Sequence, residues 1–300
     1  MNELLTANDL ERSGRAMEKL SAADEAKFER MLAESKSPQE RAYLMKALAA
    51  GYDVKEVGEF REKIHGKDQY WLQEHLTPVT TAGDSMKDEG LADDGRAKNT
   101  DEQMFYGENW SQEGNTCVPS TVVTGRAMVD PVYALELTGG PSGQESDDAA
   151  FRSRLHDEQL RLHEEGDGDN EYDFPFGSTP DGMDNDGKTT ISNKEISPHT
   201  GSEYELQEVR SADERRDALP DIEKAVAEGK PVPIGVEGKE DGDRVGHSMM
   251  IVGQEGDMLQ IYNPWGTTTW VSEDDFVNGN MGKASRGSLS DAYAVHVPAE

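Results

Sequence analysis

The sequence predicts an α+β protein, with helices in its first half and an antiparallel sheet in its last third. Three observations carry that expectation. Residues 1–79 repeat a pattern of polar cap, apolar stripe and glycine or proline stop at helical spacing. Residues 219–298 read as one helix followed by short apolar runs separated by polar turns, the pattern of successive strands. Between them lies residues 111–127, SQEGNTCVPSTVVTGRA, which hold the chain's single cysteine where a loop enters a helix.

Three hundred residues suffice for one large domain or two ordinary ones with a sizeable core. A formal net charge of −31 argues against binding nucleic acid phosphates or an anionic membrane surface. One cysteine makes no internal disulfide, so folding needs no oxidising compartment. The first residues carry neither a basic n-region nor an apolar h-region, and no apolar run reaches bilayer length. The expectation is cytoplasmic synthesis without a signal peptide.

Thr6 with Asp9, and Ser21 with Asp24, each set an acid three places after a capping hydroxyl, as a capping box requires. Behind the second, Phe28, Met31 and Leu32 share a face. Ser37 and Pro38 open a third helix, in which Tyr43, Leu44 and Leu48 lead to a stop at Gly51. Asp53 with Glu56 opens a fourth, striped by Val54, Val57, Phe60 and Ile64 and ended by Gly66. Tyr70, Trp71 and Leu72 belong to a last short helix closed before Pro78. Helices this short must bury their stripes against one another or against the rest of the chain.

Residues 80–102 shift to Thr, Gly, Asp, Lys and Ser and read as a linker or surface loop. The cysteine helix is expected to end or kink at Asp130-Pro131, with a second segment running to Gly139-Gly140. Residues 148–165 read as an amphipathic helix with Phe151, Leu155, Leu160 and Leu162 as its apolar residues. The acid-rich run 164–186 is expected to be exposed and irregular. Residues 188–192 and 204–209 are expected as the strands of one hairpin, followed by a helix over 219–227. Strands are then expected at PVPIGV, HSMMIVG, MLQIYNP and TTTWVS, a short helix at 273–277, and a final strand at AYAVHVP.

A thiol in the first turn of a helix faces unpaired N–H groups and the positive end of the helix dipole, which favour the nucleophilic thiolate. Gln112, five positions before Cys117, is placed to donate its amide N–H to an oxyanion forming at the same point. His247 opens HSMMIVG and Asn263 closes MLQIYNP, so pairing of these strands brings the two side chains together. The imidazole then takes the Cys117 proton, the Asn263 carboxamide fixes its tautomer, and Trp265 shields that bond from water. Taken singly, each has a plainer reading: a buried structural cysteine, an edge-strand histidine, a turn.

Taken in order, these residues resemble the papain-like cysteine peptidases, a likeness covering roughly residues 101–300. His247 and Asn263 lie roughly 130 and 150 positions after Cys117, the spacing seen in that superfamily. The turn NPWG is similar to the Asn-x-Trp-Gly turn of calpain-type members. CVPST is similar to the Cys-Gly-Pro-Thr-Ser start of bacterial peptidases that process double-glycine leaders, with Val118 where Gly is common. The resemblance implies a peptidase domain over 103–300, with a helical part carrying the cysteine and an antiparallel β part carrying His247 and Asn263. The all-helical unit 1–79 precedes it.

It further implies Cys117 as nucleophile, His247 as base, Asn263 as its orienter, Gln112 in the oxyanion hole and Trp265 beside the substrate. No cofactor is implied. Bacterial papain-like toxins and effectors carry such helical leaders, which implies a protein or peptide substrate, delivery to another cell and an inhibitory immunity protein as partner. Two alternatives stay open: a glutamine deamidase or transglutaminase on the same fold, and a non-catalytic acidic module that binds a basic partner.

The acidic run raises a separate expectation. Asp184, Asp186, Ile191 and Glu195 fall at positions 1, 3, 8 and 12 of an EF-hand-type loop, although Gly stands fourth and Lys188 takes a ligand position. Asp167, Asp169, Glu171 and Asp173 form a second oxygen-rich group. Calcium held by Asp184, Asp186 and Glu195 is thus weighed against a solvated acidic loop. His156 and His163 lie two helical turns apart, too far to share one zinc, and no HExxH, Walker A or GxSxG pattern occurs.

Overall fold

The computed structural model describes residues 4–79, 90–93, 95–140, 144, 147–167, 182–240 and 243–299. Its opening helices are α1 (Ala7–Glu18), α2 (Ala22–Glu34), α3 (Pro38–Ala49), α4 (Val54–Ile64) and α5 (Gln69–Leu76). Thr6, Ser21, Ser37, Asp53 and Asp68 each accept a first-turn N–H, satisfying a donor the helix cannot. The reciprocal bond forms at Thr6/Asp9 and Asp53/Glu56. At Ser21 it does not: the Asp24 carboxylate takes the Ser21 hydroxyl instead of its backbone. Phe28, Tyr43, Leu44, Val57, Phe60, Ile64 and Leu72 interlock at 2% exposure or less. Leu135, far along the chain, joins the same cluster.

Next come α6 (Cys117–Val129) and α7 (Pro131–Gly139), which meet at Asp130. Its carboxylate accepts from the Val132 and Tyr133 N–H groups, both at 3.1 Å, and so starts α7 in the turn where α6 ends. The Tyr52 hydroxyl donates to the same carboxylate at 2.9 Å and ties the opening helices to this corner. Then follow α8 (Asp148–Asp167), α9 (Asn185–Glu195), α10 (Ser197–Thr200), α11 (Ala212–Ala227) and α12 (Glu273–Asn278). Phe151, Leu155 and Leu162 of α8 are buried as expected, but Leu160 is 44% exposed.

Among the described residues one antiparallel sheet of seven strands makes up the β part. Its order is β1 (Thr100–Glu102), β8 (Thr267–Ser272), β7 (Met258–Asn263), β6 (Asp243–Glu255), β5 (Val232–Glu240), β9 (Leu289–Pro298) and β4 (Tyr204–Glu208). A small separate ladder joins β2 (Met104–Phe105) to β3 (Glu108–Asn109). One sheet face sets Val232, Ile234, Val236, Met249, Ile251 and Ile261 against Ile222 and Ala225 of α11. On the other, α6 lies against β6, and Gly125 permits the approach: a Cβ there would sit 2.9 Å from Ile196 Cδ1 and 3.1 Å from Met250 Sδ.

Four expectations are corrected. Residues 188–192 lie within α9 and form no hairpin, and β4 pairs instead with β9, its register running Tyr204 to Pro298. The helix expected over 219–227 starts two turns earlier, at a capping box of Ser211 and Glu214, and carries Pro220 inside it. The polar turn expected before HSMMIVG is paired strand as far as Glu240 and Asp243. Thr100–Glu102, expected within a linker, forms the sheet's edge against Thr267–Thr269. Residues 80–89 and 168–181 of the expected linker and acidic run lie outside the described residues.

Candidate active site

Cys117 is the first residue of α6 and half-buried. Thr116 occupies the N-cap without capping: its hydroxyl lies 2.9 Å from Glu113 O and 2.8 Å from Gln159 Oε1. The first-turn N–H groups beside Cys117 thus keep their capacity to receive a negative charge.

The loop that delivers Cys117 is held from two sides. Gln159 of α8, wholly buried, accepts from Glu113 N–H at 3.2 Å and donates to Ser111 O at 3.1 Å, so one amide spans the loop. From the sheet side, Gln112 N–H donates to Pro264 O at 2.6 Å. Gly266, at φ +84°, lets the turn after Asn263 close on this loop, for a Cβ there would sit 3.2 Å from Asn109 Cβ and 3.3 Å from Ser111 Cβ. Tyr262, beside Asn263, locks the same seam: its hydroxyl donates to Trp110 O at 2.8 Å and accepts from Thr124 of α6 at 3.1 Å.

His247 Nε2 lies 2.9 Å from Asn263 Oδ1. The orientation of that carboxamide is fixed by backbone: Nδ2 donates to Ala284 O at 2.9 Å, and Oδ1 accepts from Trp265 N–H at 3.1 Å. Oδ1 only accepts, so Nε2 carries the ring proton and Nδ1 is left as the basic nitrogen. The Trp265 ring covers the imidazole, with centroids 5.0 Å apart. No hydrogen bond joins Cys117 Sγ to the His247 ring; loop and strand turn bring their neighbourhoods together, not yet the two atoms.

Gln112 departs from its expected pose. Its Nε2 donates to Gly114 O at 2.7 Å, within the loop, and its buried Oε1 has no partner. One amide N–H is therefore spent on loop shape.

Burial pushes His247 down to about 4; the positive charge of Lys188 adds to that, and the Asn263 bond opposes it. The imidazole is therefore neutral at pH 7 and able to accept a proton. Between about pH 6.5 and 4 the unfolded chain binds this proton and the folded chain does not, so acid should remove stability across that window. The loss is roughly 3 kcal/mol from this group. Denaturant midpoints measured from pH 7 to 4 should therefore fall more steeply in the wild type than in His247→Gln. Parallel profiles would show that His247 is not held neutral by the fold.

The calcium candidate Asp184, Asp186 and Glu195, weighed against a solvated loop, is not brought together. Asp184 caps α9, accepting from Gly187 N–H at 2.7 Å, and Asp186 stands in the first turn. Glu195, two turns further on and 4% exposed, faces Arg126 and Arg161 at 2.5 and 3.1 Å. Among the described residues no group of three or more His, Cys, Asp or Glu side chains could hold a metal ion. Asp169, Glu171 and Asp173 lie outside those residues, as does the side chain of Asp167.

Two residues escaped sequence reasoning. Gln159 had no signal, because the loop it spans is remote in the chain. Lys188 is 2% exposed and its Nζ donates to Ile234 O of β5 at 3.2 Å. Its signal was the helical recurrence of Lys188, Ile191, Ser192 and Glu195, all buried.

Compared with protein-family models, curated proteins and solved structures, the chain matches none. Among the described residues no helix is long and apolar enough to cross a membrane.

Proposed function

We propose that the protein is a papain-like cysteine endopeptidase acting on a protein substrate. The observation that carries this reading is the His247–Asn263 bond at 2.9 Å, held in a turn whose Pro264 carbonyl is bonded to the loop leading into Cys117. In the reaction the Cys117 sulfur attacks a peptide carbonyl and forms a tetrahedral oxyanion. The Cys117 N–H at the start of α6 and the remaining Gln112 N–H stabilise that oxygen. Nδ1 of His247 is the proton carrier: it relieves the thiol of its proton and delivers one to the departing amine. Water then hydrolyses the thioester by the same route in reverse. Asn263 keeps Nε2–H engaged throughout, so that Nδ1 stays the active nitrogen. Productive attack requires Cys117 Sγ and Nδ1 to approach within hydrogen-bond reach, a movement of side chains at the mouth of the site.

The test is a comparison of newly cut protein termini after treating a mixed proteome with wild type or Cys117→Ala. The peptidase reading expects termini that depend on Cys117 and on His247. Intact substrate masses that rise by about one dalton per modified glutamine, with no fragments, would replace it by deamidation. No Cys117-dependent change of either kind would leave a binding module.

A further inference from the structure

Beside the His247–Asn263 pair the surface dips into a recess of about 230 Å³, open to solvent. Its floor is the sheet edge, where Thr100 of β1 and Thr269 of β8 meet with hydroxyl oxygens 2.9 Å apart. The Trp265 ring forms one wall, and the same ring packs on His247 with centroids 5.0 Å apart. Another wall is the chain at the end of the 3-10 helix Met281–Ala284, whose Ala284 O accepts from Asn263 Nδ2 at 2.9 Å. The recess thus shares Trp265 and Ala284 with the candidate active site.

Its charge runs against the rest of the molecule. The chain has 61 acids against 30 Lys and Arg, yet the described residues lining the recess include Arg96, Lys283 and Arg286 and no acid. Arg96 reaches Glu102 at 3.6 Å and Lys283 holds Asp275 at 2.6 Å, both acids outside the lining. Arg286 is exposed and pairs with no carboxylate among the described residues; its guanidinium carbon lies 5.9 Å from the centroid of the Trp265 ring. Its position is nonetheless fixed. Arg286 stands at φ +55°, a region disfavoured for any residue with a Cβ. The turn imposes this: the Ser285 hydroxyl donates to Leu289 O at 2.9 Å and accepts from Leu289 N–H at 3.0 Å, while Gly287 N–H donates to Gly282 O at 2.7 Å. Gly95 packs so closely that a Cβ there would sit 3.2 Å from Arg286 O. Ala97 N–H donates to Lys283 O at 3.1 Å and fastens the Arg96 loop to the same turn. Strained backbone that holds an unpaired cation at a recess is the arrangement a binding position requires.

We propose that this recess is a carboxylate-binding subsite, in which Arg286, beside Arg96 and Lys283, takes one acidic group of the substrate peptide. The proposal rests on the peptidase reading for its purpose, not for its binding chemistry. A guanidinium meets a carboxylate through two parallel N–H···O bonds. Of the paired Thr100 and Thr269 hydroxyls one donates to the other, so a single O–H is left to donate to the same group. The volume suits a side chain and falls short of the space a large cofactor fills. One indole separates the recess from the imidazole, so the recognised carboxylate lies about two or three extended residues from the bond that is cut. The net charge of −31 repels acidic chains in general, which restricts the preference to a single carboxylate rather than an acidic run. An Asp or Glu side chain and the free C-terminus of a peptide both carry that group.

The first measurement needs no cleavage. The indole N–H resonance of Trp265, assigned by its loss in Trp265→Phe, is followed in the full chain as N-acetylglutamate N-methylamide is added, and again with the glutamine analogue. The acid probe should shift it to saturation, with the amide analogue and Arg286→Gln each weaker by about tenfold. Equal shifts from acid and amide, or an unchanged affinity in Arg286→Gln, overturn the inference. Arg286→Gly removes the guanidinium and relieves the φ of +55°, and it replaces the glutamine variant if that one does not melt cooperatively. The second measurement maps the cuts made in a mixture of proteome-derived peptides. Wild type should favour Asp or Glu at one fixed position within about three residues of the cut, and Arg286→Gln should reduce that preference about tenfold. Cuts that instead gather at a fixed distance from the C-terminus, and are lost when C-termini are amidated, support the subsite with the terminal carboxylate as its ligand. Cuts indifferent to both carboxylates overturn the subsite and leave the peptidase reading standing. Binding of the acid probe without any Cys117-dependent cut does the reverse: the peptidase reading falls and the carboxylate site stands.

Discussion

On the proposed peptidase reading, Asn263→Ala is expected to lower Cys117-dependent turnover by about a hundredfold or more, and in any case to destabilise the fold by about 2–4 kcal/mol. Asn263 is 1% exposed and makes three bonds, to His247 Nε2, Trp265 N–H and Ala284 O. Truncation leaves two donors and one carbonyl facing a small void, and each buried unsatisfied group costs about 1–3 kcal/mol before relaxation or water entry. The catalytic loss has a different origin. Without the acceptor at Nε2 the ring is free to change tautomer and to rotate, and the basicity that the Asn263 bond lends to His247 disappears. Asn263→Asp separates the two effects. It keeps an acceptor for Nε2–H, places a carboxylate oxygen against Ala284 O, and raises the His247 proton affinity. Its turnover should recover relative to alanine while its stability does not. Denaturant unfolding gives the stability, and Cys117-dependent cleavage gives the turnover. An alanine variant matching wild type in both would remove Asn263 from the site.

Features set by neighbours in the chain were legible in the sequence, and features set by distant packing were not. Thr6 with Asp9 marks a helix start because the two residues complete each other's bonds locally. The meeting of His247 and Asn263 is legible because two apolar runs joined by a short polar turn pair as a hairpin, which brings the start of one strand close to the end of the next. The helix α9 failed this logic. Its KTTIS run is rich in β-branched residues, whose preference for strand was overridden by the Asp184 cap and by burial of one stripe between α6 and the sheet. Reading that run as strand hid Lys188, since alternation would expose one side of it. A buried lysine without a carboxylate also contradicts the usual placement of charge, and only tertiary structure reveals it. Gln112 shows the opposite limit: its position was readable, but its amide donates to Gly114 O, a choice set by loop curvature.

Glu195→Ala is expected to be the most damaging change outside the site. The side chain named as a calcium ligand is the shared anion of Arg126 and Arg161, at 2.5 and 3.1 Å. Arg126 in turn stacks over the Tyr133 ring with its guanidinium 4.0 Å from the centroid, and lies 3.4 Å from Asp130. Asp130 is the corner between α6 and α7 and accepts from Tyr52, so this network joins α9, the cysteine helix and the opening helical unit. Arg126 is raised above its ordinary range despite burial, by Asp130 and Glu195. Removing Glu195 leaves it half-neutralised in a largely enclosed place, which costs about 3 kcal/mol and lowers the melting temperature by on the order of 5–10 °C. Arg161 suffers less, because Glu158 and Glu165 still flank it at 2.8 and 3.0 Å. Glu195→Gln retains the shape and an acceptor, and its loss should fall between wild type and alanine. The metal reading makes the contrary forecast. Millimolar calcium would then raise the melting temperature of wild type, and Glu195→Ala would abolish that rise while costing little in its absence. A carboxylate already committed to two arginines instead predicts a large calcium-independent loss.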